Sequence, residues 1–128
     1  MKVEEIVYQL LSTNPDITNE VLNQIYPLRI AQGKQLPFIA YTVKSVEPNG
    51  GKKEKSEFDS YFIDVDVFSD KYSQVNSLAD LVRDAFEAVT YEGEDALCEF
   101  DFLSFREDYK NDAQLFNRTV GIIGLYKK

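Results

Sequence analysis

The chain has no histidine, no tryptophan and a single cysteine among its 128 residues. Without histidine, the side chain that most often serves as a general base near neutral pH and as a metal ligand is missing. One cysteine, Cys98, cannot form an intrachain disulfide, so a reducing compartment is the expected setting. It falls in an apolar alternating stretch, where a buried, inert thiol is the simpler reading than a reactive one. No serine sits in a G-x-S-x-G turn, and neither common phosphate-binding glycine loop is present. No run approaches the roughly 18 apolar residues of a membrane span. The opening MKVEEIVYQLLS is broken by Glu4, Glu5 and Gln9, unlike the continuous apolar core of a signal peptide. A soluble protein made in the cytoplasm is expected.

Positive charge is also scarce. Fourteen Lys and Arg stand against 22 Asp and Glu, a net charge of −8. A duplex-DNA binder needs a basic face to release counterions, and docking on anionic lipid needs the same. What the chain does have is aromatic bulk, nine Phe and eight Tyr, which supplies large buried area for a core of this size. The length suits one domain spanning residues 1–128, with no linker or repeat to divide it.

Hydrophobic periodicity then sets out the elements. Val3, Ile6, Val7, Leu10 and Leu11 share one helical face, and Asn14-Pro15 ends that helix. A helical turn is expected over Thr18–Leu22, capped by Thr18. Ile25–Leu28 reads as a short extended piece that Pro27 confines to an edge. Leu36–Val46 is a strand with Phe38 and Ala40 on one face and Ile39, Tyr41 and Val43 on the other. Glu47–Glu57 is polar and glycine-bearing and reads as a long hairpin loop. Phe58–Phe68 alternates again, with Tyr61, Ile63, Val65 and Val67 opposed to Phe62, Asp64, Asp66 and Phe68. Ser69-Asp70 offers a cap for a helix whose apolar spacing runs from Val75 to Val89. Strands over Leu97–Arg106 and Leu115–Tyr126 follow, separated by a polar turn centred on Asn111-Asp112. The order α, β, β, α, β, β predicts an α+β fold: a largely antiparallel sheet of four to five strands with two main helices packed on one face. The opposite face carries acids and aromatics together, a mixture suited to a subunit contact.

Two constellations could carry chemistry. Asp64 and Asp66 share one face of their strand, as do Glu99 and Asp101. Were those strands neighbours, four carboxylates could converge on Mg²⁺ in a metal-dependent enzyme. The simpler reading is that a strongly acidic protein displays acids on the solvent face of its sheet. Lys52, Lys53 and Lys55 make a small basic cluster open to reading as a nucleic-acid contact, although Glu54 interleaves and a solvated hairpin tip explains it as well. Such a loop can also order against a partner. A small acidic inhibitor that mimics nucleic-acid charge is a third class; a mimic, however, would cluster its acids more densely.

The run IYPLRIAQGKQLPFIAYTV, starting at Ile25, resembles the signature of the phage tail-completion (tail terminator) family. The remaining layout is similar too: a T-N-P-D-I segment after the first helix, the strand Ile63-Asp64-Val65-Asp66-Val67-Phe68, and the helix motif from Ser69 through Arg83. The likeness covers essentially the whole chain. It implies a non-enzymatic structural protein of a tailed phage or prophage. In that family a ring, usually of six copies, caps the tail tube and joins it to the head connector. The implied partners are further copies of the chain, the major tail-tube protein and the head-completion protein, with DNA only in passage through the lumen and no membrane. The implied location is host cytoplasm during assembly, then the head-proximal end of the virion tail. No catalytic residue is carried over from the resemblance, and no cofactor or metal is expected. Contacts to neighbours are expected at Asn49, Gly50, Gly51, Lys52, Lys53 and Lys55 in one loop and at Glu107, Tyr109 and Lys110 by the other. Asp64 and Asp66 are the candidates for the lumen.

Overall fold

A computed structural model of the chain describes residues 1–27, 35–49, 57–110 and 115–127. Helices α1 (Val3–Ser12) and α2 (Pro15–Val21) lead into strand β1 (Ile25–Pro27). Strands β2 (Phe38–Asn49) and β3 (Phe58–Ser69) form the first hairpin, and helix α3 (Tyr72–Phe86) follows. Strands β4 (Val89–Glu92), β5 (Leu97–Lys110) and β6 (Leu115–Lys127) complete the chain. They assemble one six-stranded sheet in the order β1-β2-β3-β6-β5-β4. Every pairing is antiparallel except that of β1 with β2.

The faces follow from the alternation. Ile39, Ile63, Val65, Val67, Cys98, Phe100, Val120 and Ile122 point inward and meet Val3, Ile6, Val7 and Leu11 of α1, Ile17 and Val21 of α2, and Leu78, Ala79, Val82 and Phe86 of α3. Phe86, fully buried, sets its ring edge-on to Phe100 at 5.3 Å. Burial of side chains of this kind contributes roughly 1.5–3 kcal/mol each, which is what holds all three helices to the same face of the sheet. On the other face Phe38 and Ala40 form a separate small cluster with Tyr26 and Phe68.

The class is the expected one, and several details differ. The sheet has six strands rather than four or five. Val89, which continues the helical spacing, instead opens β4, because the chain turns at Ala88 with φ of 54° and Val89 and Tyr91 then alternate as a strand. Helix α2 starts at Pro15, not Thr18: Asn14 accepts hydrogen bonds from the Asp16 and Ile17 amides (3.0 and 3.3 Å), and proline suits the first helical position. The cap of α3 lies at Lys71, one step beyond Ser69-Asp70; the Ser69 hydroxyl accepts from the Lys71 amide and donates to Gln74.

Both hairpins also run further than their polarity suggests. Glu47, Pro48 and Asn49 belong to β2, and Glu107 through Lys110 belong to β5. Outside the core a ladder needs only its partner strand, so polar residues can continue it. Pro48 is tolerated because, among the described residues, no strand flanks β2 beyond Tyr41 on its other side.

Candidate functional site

The register fixes where the expected contact regions lie. Phe58 is level with Lys127 and Leu97, and Ser69 is level with Phe116 and Tyr109. The β2–β3 hairpin therefore turns at one end of the sheet and the β5–β6 hairpin at the opposite end. Asn49 is the last residue of β2, and Tyr109 and Lys110 close β5. Gly50, Gly51, Lys52, Lys53 and Lys55 lie outside the described residues, as do Asn111 and Asp112.

Each hairpin also has the same plan. Beside the first, β1 pairs with Ile39–Tyr41 of β2, and a bulge follows between Val43 and Ser45. Beside the second, β4 pairs with Leu97–Phe100 of β5, and a bulge follows between Phe102 and Ser104. A bulge places an extra residue in one strand and increases its twist. Here the extra residues are Lys44 and Leu103. With Phe62, Asp64, Arg106 and Gly121 they border a shallow depression in the middle of the sheet's bare face, the one that none of the described helices covers. Gly121 keeps its floor low: a Cβ there would come within 2.9 Å of the Ser104 hydroxyl.

The four carboxylates do not converge. Strand β6 lies between β3 and β5, so Asp64 is level with Gly121 and Ser104, while Asp101 is level with Ile123 and Phe62. Sequence alone could not exclude their adjacency, because two strands separated by a helix and a further strand can pair in several orders. Asp64 instead pairs with Arg106 at 2.8 Å and is mostly covered. Asp66 accepts a hydrogen bond from the Thr119 hydroxyl, and burial raises its carboxyl above the ordinary range, opposed by the hydrogen bonds from Thr119 and Asn117. Asp101 turns back to its own strand, accepting from the Phe102 amide at 2.9 Å. Among the described residues no group of three or more acids and cysteine is arranged to hold a metal ion. Cys98 faces the core, and burial pushes its thiol up to about 12, where the thiolate is scarce at neutral pH.

Glu107 has a different setting from the one expected of a loop residue. It accepts from the Tyr72 hydroxyl at 3.1 Å and pairs with Arg118 at 3.5 Å. Arg118 also donates to Asn76 at 2.6 Å and lies over the Phe105 ring at 4.3 Å. Arg83 covers Phe102 at 4.1 Å, and Tyr72 meets Phe116 edge-on at 5.4 Å. This ladder of arginines and rings ties α3 to the second hairpin. The sequence reading missed it. The signal was available: Arg118 shares the inward parity of Val120 and Ile122, where a charge must find partners.

A family model described as "Tail completion protein gp17" matches residues 5–126. No curated protein matches the chain. Among solved structures, a chain of a "Virion of native gene transfer agent (GTA) particle" has a TM-score of 0.79 at 14% identity, covering 95% of this chain and 92% of that one. At that identity the likeness concerns the fold alone.

Proposed function

Because the chain belongs to the tail completion protein gp17 family, and is thereby a structural protein of phage-type tails, we propose that it works as a ring subunit, usually six to a ring, that closes the tail tube and presents its other side to the head connector. The observation that carries this reading is the placement of two long hairpins at opposite ends of one continuous sheet. An adapter between two different structures needs two separate contact regions held at a fixed distance, and a continuous sheet supplies that. The tube protein would meet one hairpin end and the connector the other, with Asn49 to Lys55 and Glu107 to Lys110 as the contacting stretches.

Asp64 and Asp66 remain the candidates for the lumen wall, where an acidic lining would let DNA pass without adhering. Both are held by neighbours, Arg106 and Thr119, so lysine at either position would oppose Arg106 and disturb the sheet itself. Asparagine is the cleaner substitution.

A phage lacking the gene tests the reading. Overlong tails would identify a terminator, and tails of normal length that fail to attach to heads would identify a joiner. Normal infectious particles would overturn the proposal.

A further inference from the structure

Among the described residues, the sheet ends in two edges that neighbouring strands cover for only part of their length. On one side β1 pairs with Ile39–Tyr41 and no strand among the described residues flanks β2 from Thr42 to Asn49. On the other, β4 pairs with Leu97–Phe100 and no described strand flanks β5 from Asp101 to Lys110. Residues Lys44 through Pro48 are all exposed, and so are Asp101, Leu103, Arg106 and Glu107. Each stretch is longer than a typical whole strand of five to six residues. Open edges of that length invite pairing with another chain, and proteins ordinarily blunt them. Here a single bulge stands at the root of each, and beyond it each open stretch continues as a regular ladder with its inner neighbour.

We propose that these two edges are halves of one interface, and that β2 of one copy pairs with β5 of the next to make a sheet continuous from subunit to subunit. Several features on the two edges agree with a second copy as the occupant. From β2 to β3, β6 and β5 the sense alternates at every step, so β5 runs opposite to β2. Copies facing the same way around an axis would thus bring β2 against β5 in antiparallel sense, without inversion of either. Each edge also displays one large exposed apolar side chain, Val46 on the helix side of β2 and Leu103 at the bulge of β5, at 46% and 50% exposure, and a neighbouring strand would cover each. On the bare face Glu47 of one edge would approach Arg106 of the other, an opposite-charge pair of the kind that favours cross-strand neighbours.

The union of two different edges is heterologous, and heterologous contacts close into rings or run on as filaments. The open stretches lie toward opposite ends of the sheet, so matching them staggers adjacent copies by about five residues, roughly 17 Å at ~3.4 Å per residue. Closure then requires the strands to tilt against the ring axis, as in any barrel with shear. The inference rests on the ring reading and adds to it the surfaces through which the ring closes.

The test uses two single variants, Ser45→Cys on one edge and Ser104→Cys on the other, with a bis-maleimide long enough to span the roughly 10–14 Å that the proposed register sets between them at ~3.4 Å per residue. Buried Cys98 provides the unreactive background. The expected result is a covalent dimer when the two variants are mixed and none from either alone, because each single variant places its new thiol on only one side of every contact. The double variant should give a ladder that stops at the size of the ring. Light scattering on the wild-type chain, free and on tail tubes, separates the failures. Wild-type rings without selective cross-linking in the mixture would overturn the edge pairing and leave the ring. A wild-type chain that stays monomeric in both settings would overturn the ring and the pairing together.

Discussion

Beyond its bulge, the β5–β6 hairpin turns Phe105, Glu107, Phe116 and Arg118 inward, and α3 lies against them with Tyr72, Asn76 and Arg83. The corresponding stretch of the β2–β3 hairpin turns Val46, Pro48, Asp59 and Tyr61 to the same side, and Val46 is left 46% exposed. Tyr61 meets Tyr126 edge-on at 5.8 Å, and Tyr126, level with Asp59, donates to the Met1 carbonyl at 2.8 Å, so only the very start of α1 reaches this hairpin. The two hairpins share a plan of short cover strand, bulge and long bare ladder, yet one is braced by a helix and the other is held by strand pairing. The difference shows how a hairpin can be stiffened past the end of a hydrophobic core. Arginine serves there because its stem and flat guanidinium cover a ring while its nitrogens satisfy polar neighbours.

The sharpest way to break this contrast is Phe105→Ala. It removes a half-buried ring that lies under Arg118 at 4.3 Å and within 5.7 Å of Arg83. A loss of about 2–3 kcal/mol is expected, below the range for fully buried phenylalanine. Urea melts measure the loss, and amide exchange should place the added opening in β5 and β6 beyond Phe102. Equal loosening of β2 and β3 would show that the brace is not local. Next in size is Arg118→Lys, which keeps the charge and loses the flat stacking surface and the bond to Asn76; about 1 kcal/mol is expected, with the same local pattern of exchange.

The smallest expected effect concerns the bare face that both hairpins share. Burial raises the Asp66 carboxyl above its unfolded value. A group raised in this way binds its proton more tightly in the folded state. Its contribution is therefore fully present below the unfolded pKa and is lost as pH rises through the folded one. Relative to Asp66→Asn, the wild-type chain should thus lose stability as pH rises through the carboxylate range. Melts of both proteins at several pH values give the slope, and a flat or opposite difference would contradict the assignment of burial as the cause.

Much of the fold was legible because alternation and helical spacing report which side of an element is buried. The inward set Ile39, Ile63, Val65, Val67, Cys98 and Phe100 follows from period two alone, and the inward set of α1 from period 3.6. Strand β4 was hidden because Val89 satisfies both patterns, and only the turn at Ala88, a residue with no preference for positive φ, decides between them. The ends of β2 and β5 were hidden for another reason. Composition marks where burial stops, and pairing continues past that point.

The candidate site divides in the same way. The acids and aromatics of the bare face, and the position of Cys98 in the core, were determined by the sequence, since each depends only on parity within its own strand. Whether Asp64 and Asp66 could meet Glu99 and Asp101 depended on strand order. So did the placement of the two hairpins at opposite ends and the exposure of one edge on each side. Those are relations between residues far apart in the chain, set by which sheet buries the most apolar surface under three helices, and only the tertiary structure decided them.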